Sequence, residues 1–194
     1  MTVAAPGEPV RPASAGMRRS YARVLRQAAL MAELAGGPET ELAARAPAVS
    51  GWSVAEQLEH LLLVDRGVLK QMGHILEDPR PMPKAGINFE GRLVLLAGFI
   101  PRGRAQTPSA NRPTAEPEAA VRTGIPEIDR RLRELAPRLG ELERSGGRAR
   151  HPRLGGLGGH QWMRFLAVHH HHHLKIVRDV RRARGLGAIG LPSR

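Results

Sequence analysis

The chain has 194 residues, a formal net charge of +12 from 30 Lys+Arg against 18 Asp+Glu, and no cysteine. Its length suits one domain with a real core, and 41% apolar with 25% charged residues is ordinary for a globular protein. Without cysteine there are no disulfides and no thiolate metal sites, so any metal must be held by His, Asp, Glu or backbone oxygen; no apolar run approaches the roughly 20 residues of a membrane span.

Residues 1–15 (MTVAAPGEPVRPASA) are rich in Pro, Ala and Gly and read as a disordered arm. They lack the apolar centre of a signal peptide, which makes the cytoplasm the default location. From 17 to about 34, MRRSYARVLRQAALMAEL places Tyr21, Val24, Leu25, Ala28 and Leu34 at helical intervals, and Gly36-Gly37-Pro38 ends the run. A second helix opens at Ser53, with Glu56 three residues on as a capping box, and should run to about Leu76 before EDPRPMPK stops it.

INFEGRLVLLAGFI (87–100) is compatible with a short helix or a buried strand, and its periodicity does not decide between them. The Pro-rich stretch 101–117 reads as an extended loop at a pocket mouth; long loops inside compact domains are often functional. A third helix is expected over 125–143, with Leu132, Leu135, Leu139 and Leu142 on one stripe, Pro126 in its first turn and Pro137 as a kink. SGGRARHPRLGGLGG is a loop, and a last helix spans about 159–184. Four helices without convincing strands define an all-α four-helix bundle with long connecting loops, occupying 16–185 and followed by a flexible tail, 186–194.

The last helix carries VHHHHHLKIV (168–177). A purification tag would normally sit at a terminus, whereas both flanks here are helix-forming and partly apolar. On a helical wheel Trp162, Leu166, Val177 and Val180 share one face, and His169 and His173 lie near its centre, one turn apart. His171 points the opposite way, while His170 and His172 fall on the flanks. Two imidazoles one turn apart can reach one divalent ion; the plainer reading is a pair of satisfied core histidines. His60, in WSVAEQLEHLLLV, lies only at the edge of its own apolar arc. His74 reads as a surface residue, and His151 and His160, near the Gly-rich loop, read as exposed or capping.

GWSVAEQLEHLL resembles the Trp-Ser…His opening of the second helix in the DinB-like (YfiT-like) superfamily. HPRLGGLGGHQWMRFLAVHHHHHLKIV resembles that family's C-terminal helix, and GFIPRGRAQTPSANRP its Pro-Arg-Gly loop, so the likeness covers most of 17–183. The resemblance implies a four-helix bundle and a divalent ion, nickel or zinc, held by three histidines, which here fall on His60, His169 and His173. It also implies a hydrolase or a thiol-dependent S-transferase acting on a small-molecule substrate. Such an ion keeps an open position for water, thiol or substrate. With no Cys in the chain, the thiol would be an external low-molecular-weight one. Asp65 and Glu56 are candidate bases. Affinity for the ion should fall below about pH 6.5, where free imidazole protonates.

The alternative is a basic helical module binding nucleic acid or an acidic partner, its histidines structural. With aromatics at 3% and no helix-turn-helix or zinc-finger pattern, specific nucleic-acid binding is not expected. Neither is a membrane partner; association into a homodimer is left open.

Overall fold

The computed structural model describes residues 11–78, 86–102 and 107–192. Four long helical segments form the bundle: α1 (Ala15–Ala35), α3 (Val54–Glu77), α5 (Pro117–Leu135) continued by α6 (Leu139–Arg144), and α7 (Gly159–Ala183). Short helices α2 (Glu39–Leu42) and α4 (Phe89–Ala97) lie in the connections. α3 packs on α5 and α7, and so does α1, which sets α1 and α3 on one diagonal of the bundle. No described helix is long and apolar enough to cross a membrane.

The caps explain the boundaries. Ser53 accepts from the Glu56 amide while the Glu56 carboxylate accepts from the Ser53 amide at 2.6 Å, closing the expected capping box on α3. The undecided segment is a helix: Asn88 caps α4 by accepting from Gly91 N–H, and Gly98, at φ 61°, ends it in the left-handed conformation glycine favours. Before it, Ile87 makes a single bridge to Gly155.

Three expectations need correction. The third helix begins at Pro117, not at 125, because its apolar stripe already starts at the fully buried Val121; Pro126 sits inside the helix on an exposed position. Pro137 does more than kink it, since Ala136–Arg138 tighten into a 3₁₀ turn that separates α5 from α6. The Gly-rich loop contains an antiparallel hairpin, β1 (Ala149–His151) with β2 (Gly155–Leu157).

The arm expected over 1–15 lies outside the described residues only as far as residue 10. Ala13 is buried, and Ser14 caps α1 by accepting from Met17 N–H. Ser14 also donates through its amide and hydroxyl to the Glu143 carboxylate, which stitches this segment to α6. In the tail, Ile189 and Leu191 lie partly buried against the core.

The core is two apolar clusters joined end to end. One gathers Met17, Val24, Leu62, Met72, Leu132 and Leu166; the other Met31, Leu34, Leu58, Leu61, Ile125 and Val177. Between them runs a polar layer with Gln27, His60, His169 and His173, all buried. Gln27 donates its Nε2–H to the Ala167 carbonyl at 3.0 Å, while its buried Oε1 finds no donor among the described residues. A layer of this kind costs stability unless its members find partners.

At the start of α7, Gly159 lets the helix approach α6 closely. A Cβ there would stand 2.5 Å from Leu142 Cγ and closer still to the Leu142 carbonyl oxygen. That oxygen belongs to the backbone and cannot rotate away. Gly159→Ala is therefore expected to lower the unfolding free energy by roughly 1–3 kcal/mol, the usual cost of overpacking, measured by urea denaturation. An unchanged midpoint would mean that α6 and α7 are less tightly apposed.

Candidate metal centre

α3 and α7 each deliver histidines to the polar layer. His60 comes from the middle of α3; His169 and His173 come from successive turns of α7. The His169 and His173 rings lie 4.6 Å apart, and His60 lies 4.5 Å from His173 and 5.2 Å from His169 between ring centroids. One nitrogen from each can be chosen so that all lie within 4.8 Å of one another, close enough to hold one metal ion.

Hydrogen bonds set the tautomers. His60 Nδ1 stands 2.8 Å from the Asn111 carbonyl oxygen, and His173 Nδ1 stands 2.7 Å from Gln57 Oε1. Both oxygens can only accept, so Nδ1 carries the proton and Nε2 keeps its lone pair in each neutral ring. This is the outer arrangement typical of metal-ligating histidines. Gln57 is itself oriented, its Nε2–H donating to Ser50 Oγ at 2.9 Å.

His60 Nε2 faces His169 Nε2 at 3.3 Å. Two nitrogens bound tetrahedrally to one ion at about 2.0–2.1 Å would stand roughly 3.3–3.4 Å apart. The donor set therefore fits a divalent ion that accepts imidazole.

Glu59, one residue before His60, turns to the other side of α3. Its carboxylate accepts from both the amide and the hydroxyl of Thr114, at 2.9 and 2.8 Å. That clamp holds the loop whose Asn111 carbonyl orients His60. Gln57, Glu59 and Asn111 escaped the sequence reading; Gln57 had a usable signal, lying three residues before His60 and hence near it on one helix face.

The other histidines divide. His170, expected on a flank of α7, is fully buried, with Nε2 2.7 Å from Oδ1 of the equally buried Asp65. Asp65 is thereby sealed away from the cavity, and Glu56 is occupied by its cap and by Arg45 at 2.8 Å. Neither expected base faces the site. His171 and His172 are half-buried, and the His74 side chain is 56% exposed. His160 lies 3.6 Å from Glu143. His151, expected to be exposed or capping, is half-buried and packs its ring on Trp162 and Phe165.

A cavity of about 1050 Å³ opens onto the three histidines. Its walls are mainly apolar, with Val64, Val68, Val94, Leu154, Phe165 and Trp162, and the loop at 107–111 contributes Thr107, Pro108 and Asn111. This loop was expected at a pocket mouth; its residues 103–106 lie outside the described residues.

Burial lowers the pKa of His60, and it lowers those of His169 and His173 much further, with repulsion from neighbouring histidines adding to the effect. Burial also depresses His151, to about 4. The folded metal-free protein therefore holds these rings neutral, while the unfolded chain protonates them near pH 6.5. Below that value the unfolded state binds more protons, so the stability present above about pH 6.5 is lost as pH falls toward the folded values. The urea midpoint of chelator-treated protein should be level above neutrality and fall steadily from about pH 6.5 toward pH 4. A level midpoint through that window would show that the rings titrate normally.

Helices, site and cavity together define a helical bundle in which three buried histidines could hold a metal ion beside an open cavity. The chain matches the DinB superfamily over residues 23–177, and it belongs to that family. No curated protein and no solved structure matches it significantly.

Proposed function

We propose that this chain is a divalent-metal-dependent enzyme acting on a small molecule, as a hydrolase or as a thiol-dependent S-transferase. His60, His169 and His173 would hold the ion, zinc or nickel, through their Nε2 atoms. The observation that carries the reading is the pair of outer hydrogen bonds, Asn111 to His60 and Gln57 to His173, which turn both lone pairs inward. When bound, the ion supplies Lewis acidity at an open position. The chain's own groups do the rest: Gln57 and Asn111 orient the imidazoles, and the Phe165 ring, stacked 5.4 Å from His169, walls the histidines with apolar surface. An all-imidazole site suits zinc, nickel or copper better than magnesium or calcium.

A small-molecule substrate is in keeping with the size of the cavity, and a cytoplasmic location belongs to the same reading. The transferase branch needs a thiol from outside, because the chain has no cysteine. Metal analysis of untagged protein is expected to give about one divalent ion per chain, with three histidine ligands and an open position. Turnover of activated esters by the loaded protein alone would favour the hydrolase; turnover of electrophiles only with an added low-molecular-weight thiol would favour the transferase. Absence of bound metal after incubation with zinc and with nickel would sink both.

A further inference from the structure

The cavity wall beyond Phe165 carries a second feature that the metal reading does not use. His151 ends β1, and its ring folds back over the hairpin turn. There Nδ1 accepts from two backbone amides, Arg153 N–H and Leu154 N–H, both at 3.1 Å. A nitrogen receiving two donors cannot hold a proton, so the proton of the neutral ring sits on Nε2. Nε2 has no protein acceptor among the described residues, and it is not among the buried unpartnered atoms, so it is open to a ligand. The ring lines the cavity 4.7 Å from Phe165, which itself stacks on His169.

The neighbouring wall has the same deficit. Trp162 lines the cavity 5.5 Å from His151, is 3% exposed, and its buried Nε1–H finds no acceptor among the described residues. Two N–H donors without acceptors among the described residues therefore sit on adjoining rings of one wall, that of Trp162 covered and that of His151 open. Leaving such donors unmet is costly, and sites built around them discriminate strongly for ligands that complete them.

We propose that this wall is a recognition subsite in which His151 donates its Nε2–H to an oxygen acceptor of the ligand. The ligand class is a molecule with an aromatic or alkyl body bearing a carbonyl or carboxylate oxygen; the body lies along Phe165 toward the three histidines. That this molecule is the substrate rests on the metal-enzyme reading; the donor and its selectivity do not. Because burial holds the His151 pKa near 4, the ring stays neutral and remains a donor across the physiological range. A cationic amine, which offers only donors, is rejected.

The test uses the full-length ¹⁵N-labelled protein, with zinc and after chelation, and three probes of one shape: 4-phenylbutanoate, 4-phenylbutanamide and 4-phenylbutylamine. Long-range proton–nitrogen spectra report the His151 tautomer directly and follow its Nε2–H during titration. The expected result is the Nε2–H tautomer, with its resonance shifted by the acid and the amide and not by the amine. His151→Asn keeps a carboxamide oxygen for the Arg153 and Leu154 amides but withdraws the N–H from the Nε2 position, its shorter Nδ2 standing where the ring carbon was, and should weaken both acceptor probes roughly tenfold. If that variant does not fold, the tautomer and the shifts in the wild-type protein decide alone. An Nδ1–H tautomer, no His151 shift with either acceptor probe, equal binding of the amine, or undiminished binding by a folded His151→Asn protein would each overturn the proposal. Metal uptake with no acceptor selectivity would leave the metal reading standing; acceptor selectivity in a protein that takes up no metal would do the reverse.

Discussion

Replacing His60, His169 or His173 with Ala is expected to abolish stoichiometric metal binding, whereas His171→Ala leaves it intact. The four residues make a controlled set, because three share the same run of five histidines and only the helical phase distinguishes them. His169 and His173 face His60 across the α3–α7 contact, while His171 lines a shallow surface hollow with Phe99 and Lys175. An ion held by the first three would tie together helices distant in sequence. With free metal at about 100 times its Kd, binding should add about 2.7 kcal/mol of stability. This contribution is read as the difference in denaturation midpoint with and without the ion, which removes the packing cost of each substitution. It should vanish in the three variants and persist in His171→Ala. Metal loss in His171→Ala with retention in His169→Ala would place the ligands in another register. The pH dependence also changes from the first expectation. Free imidazole would begin to lose the ion near pH 6.5, but burial keeps His169 and His173 neutral well below that. The protein should hold its metal into more acidic solution than an exposed histidine pair would.

Much of the fold was legible because it rests on local signals. Ser53 with Glu56, the Gly36-Gly37-Pro38 stop and the apolar stripe of α7 are written in consecutive residues, and those boundaries were found to within a few positions. α5 was misread because Pro126 carries the signature of a first turn. The deciding signal was tertiary: Val121, Ile125, Ile128 and Leu132 are all buried on a helix that packs against α1 and α3, and that burial keeps the helix running past the proline. α4 was undecided from periodicity, although Asn88 and Gly98 bracket it as caps.

The site divides along the same line. The spacing of His169 and His173 could be read from one helix, and the structure sets their rings in contact. His60 lay at the edge of its apolar arc, and its place beside them depends on how α3 meets α7. Asn111 could not have been anticipated, since it acts through a backbone carbonyl that any residue would supply. His151 caps the hairpin turn, one of its two expected roles, but its packing could not be read locally, because that comes from Trp162 and Phe165 on another element. A wheel drawn for α7 alone put His170 on a flank, because its partner, Asp65, is on α3.

That partner carries the second large effect. Asp65 and His170 are both fully buried at the α3–α7 contact, 2.7 Å apart, and His170 adjoins His169 in sequence. Their outer atoms, Asp65 Oδ2 and His170 Nδ1, lack partners among the described residues, so the pair is satisfied by itself and by little else. Removing one member strands the other in an apolar interior, which typically costs about 3–5 kcal/mol. Asp65→Ala is therefore expected to be among the most destabilising single changes in the chain. The double replacement Asp65→Val with His170→Leu fills the volume with apolar atoms and should recover most of that loss, since an isolated buried pair contributes little net stability. A double-mutant cycle read by urea denaturation separates these terms, the expected coupling being of the same order as the single-site loss. Metal titration of the same proteins shows what the pair is for. If Asp65 and His170 set the rotation of α7 on α3, the stable double variant should bind zinc more weakly than wild type, because His169 is no longer held in phase with His60. If it binds zinc as tightly, the packing of Trp162, Phe165 and Val177 fixes the helix, and the pair is a relic of burial rather than a positioning device. A mild Asp65→Ala phenotype would contradict the buried contact itself.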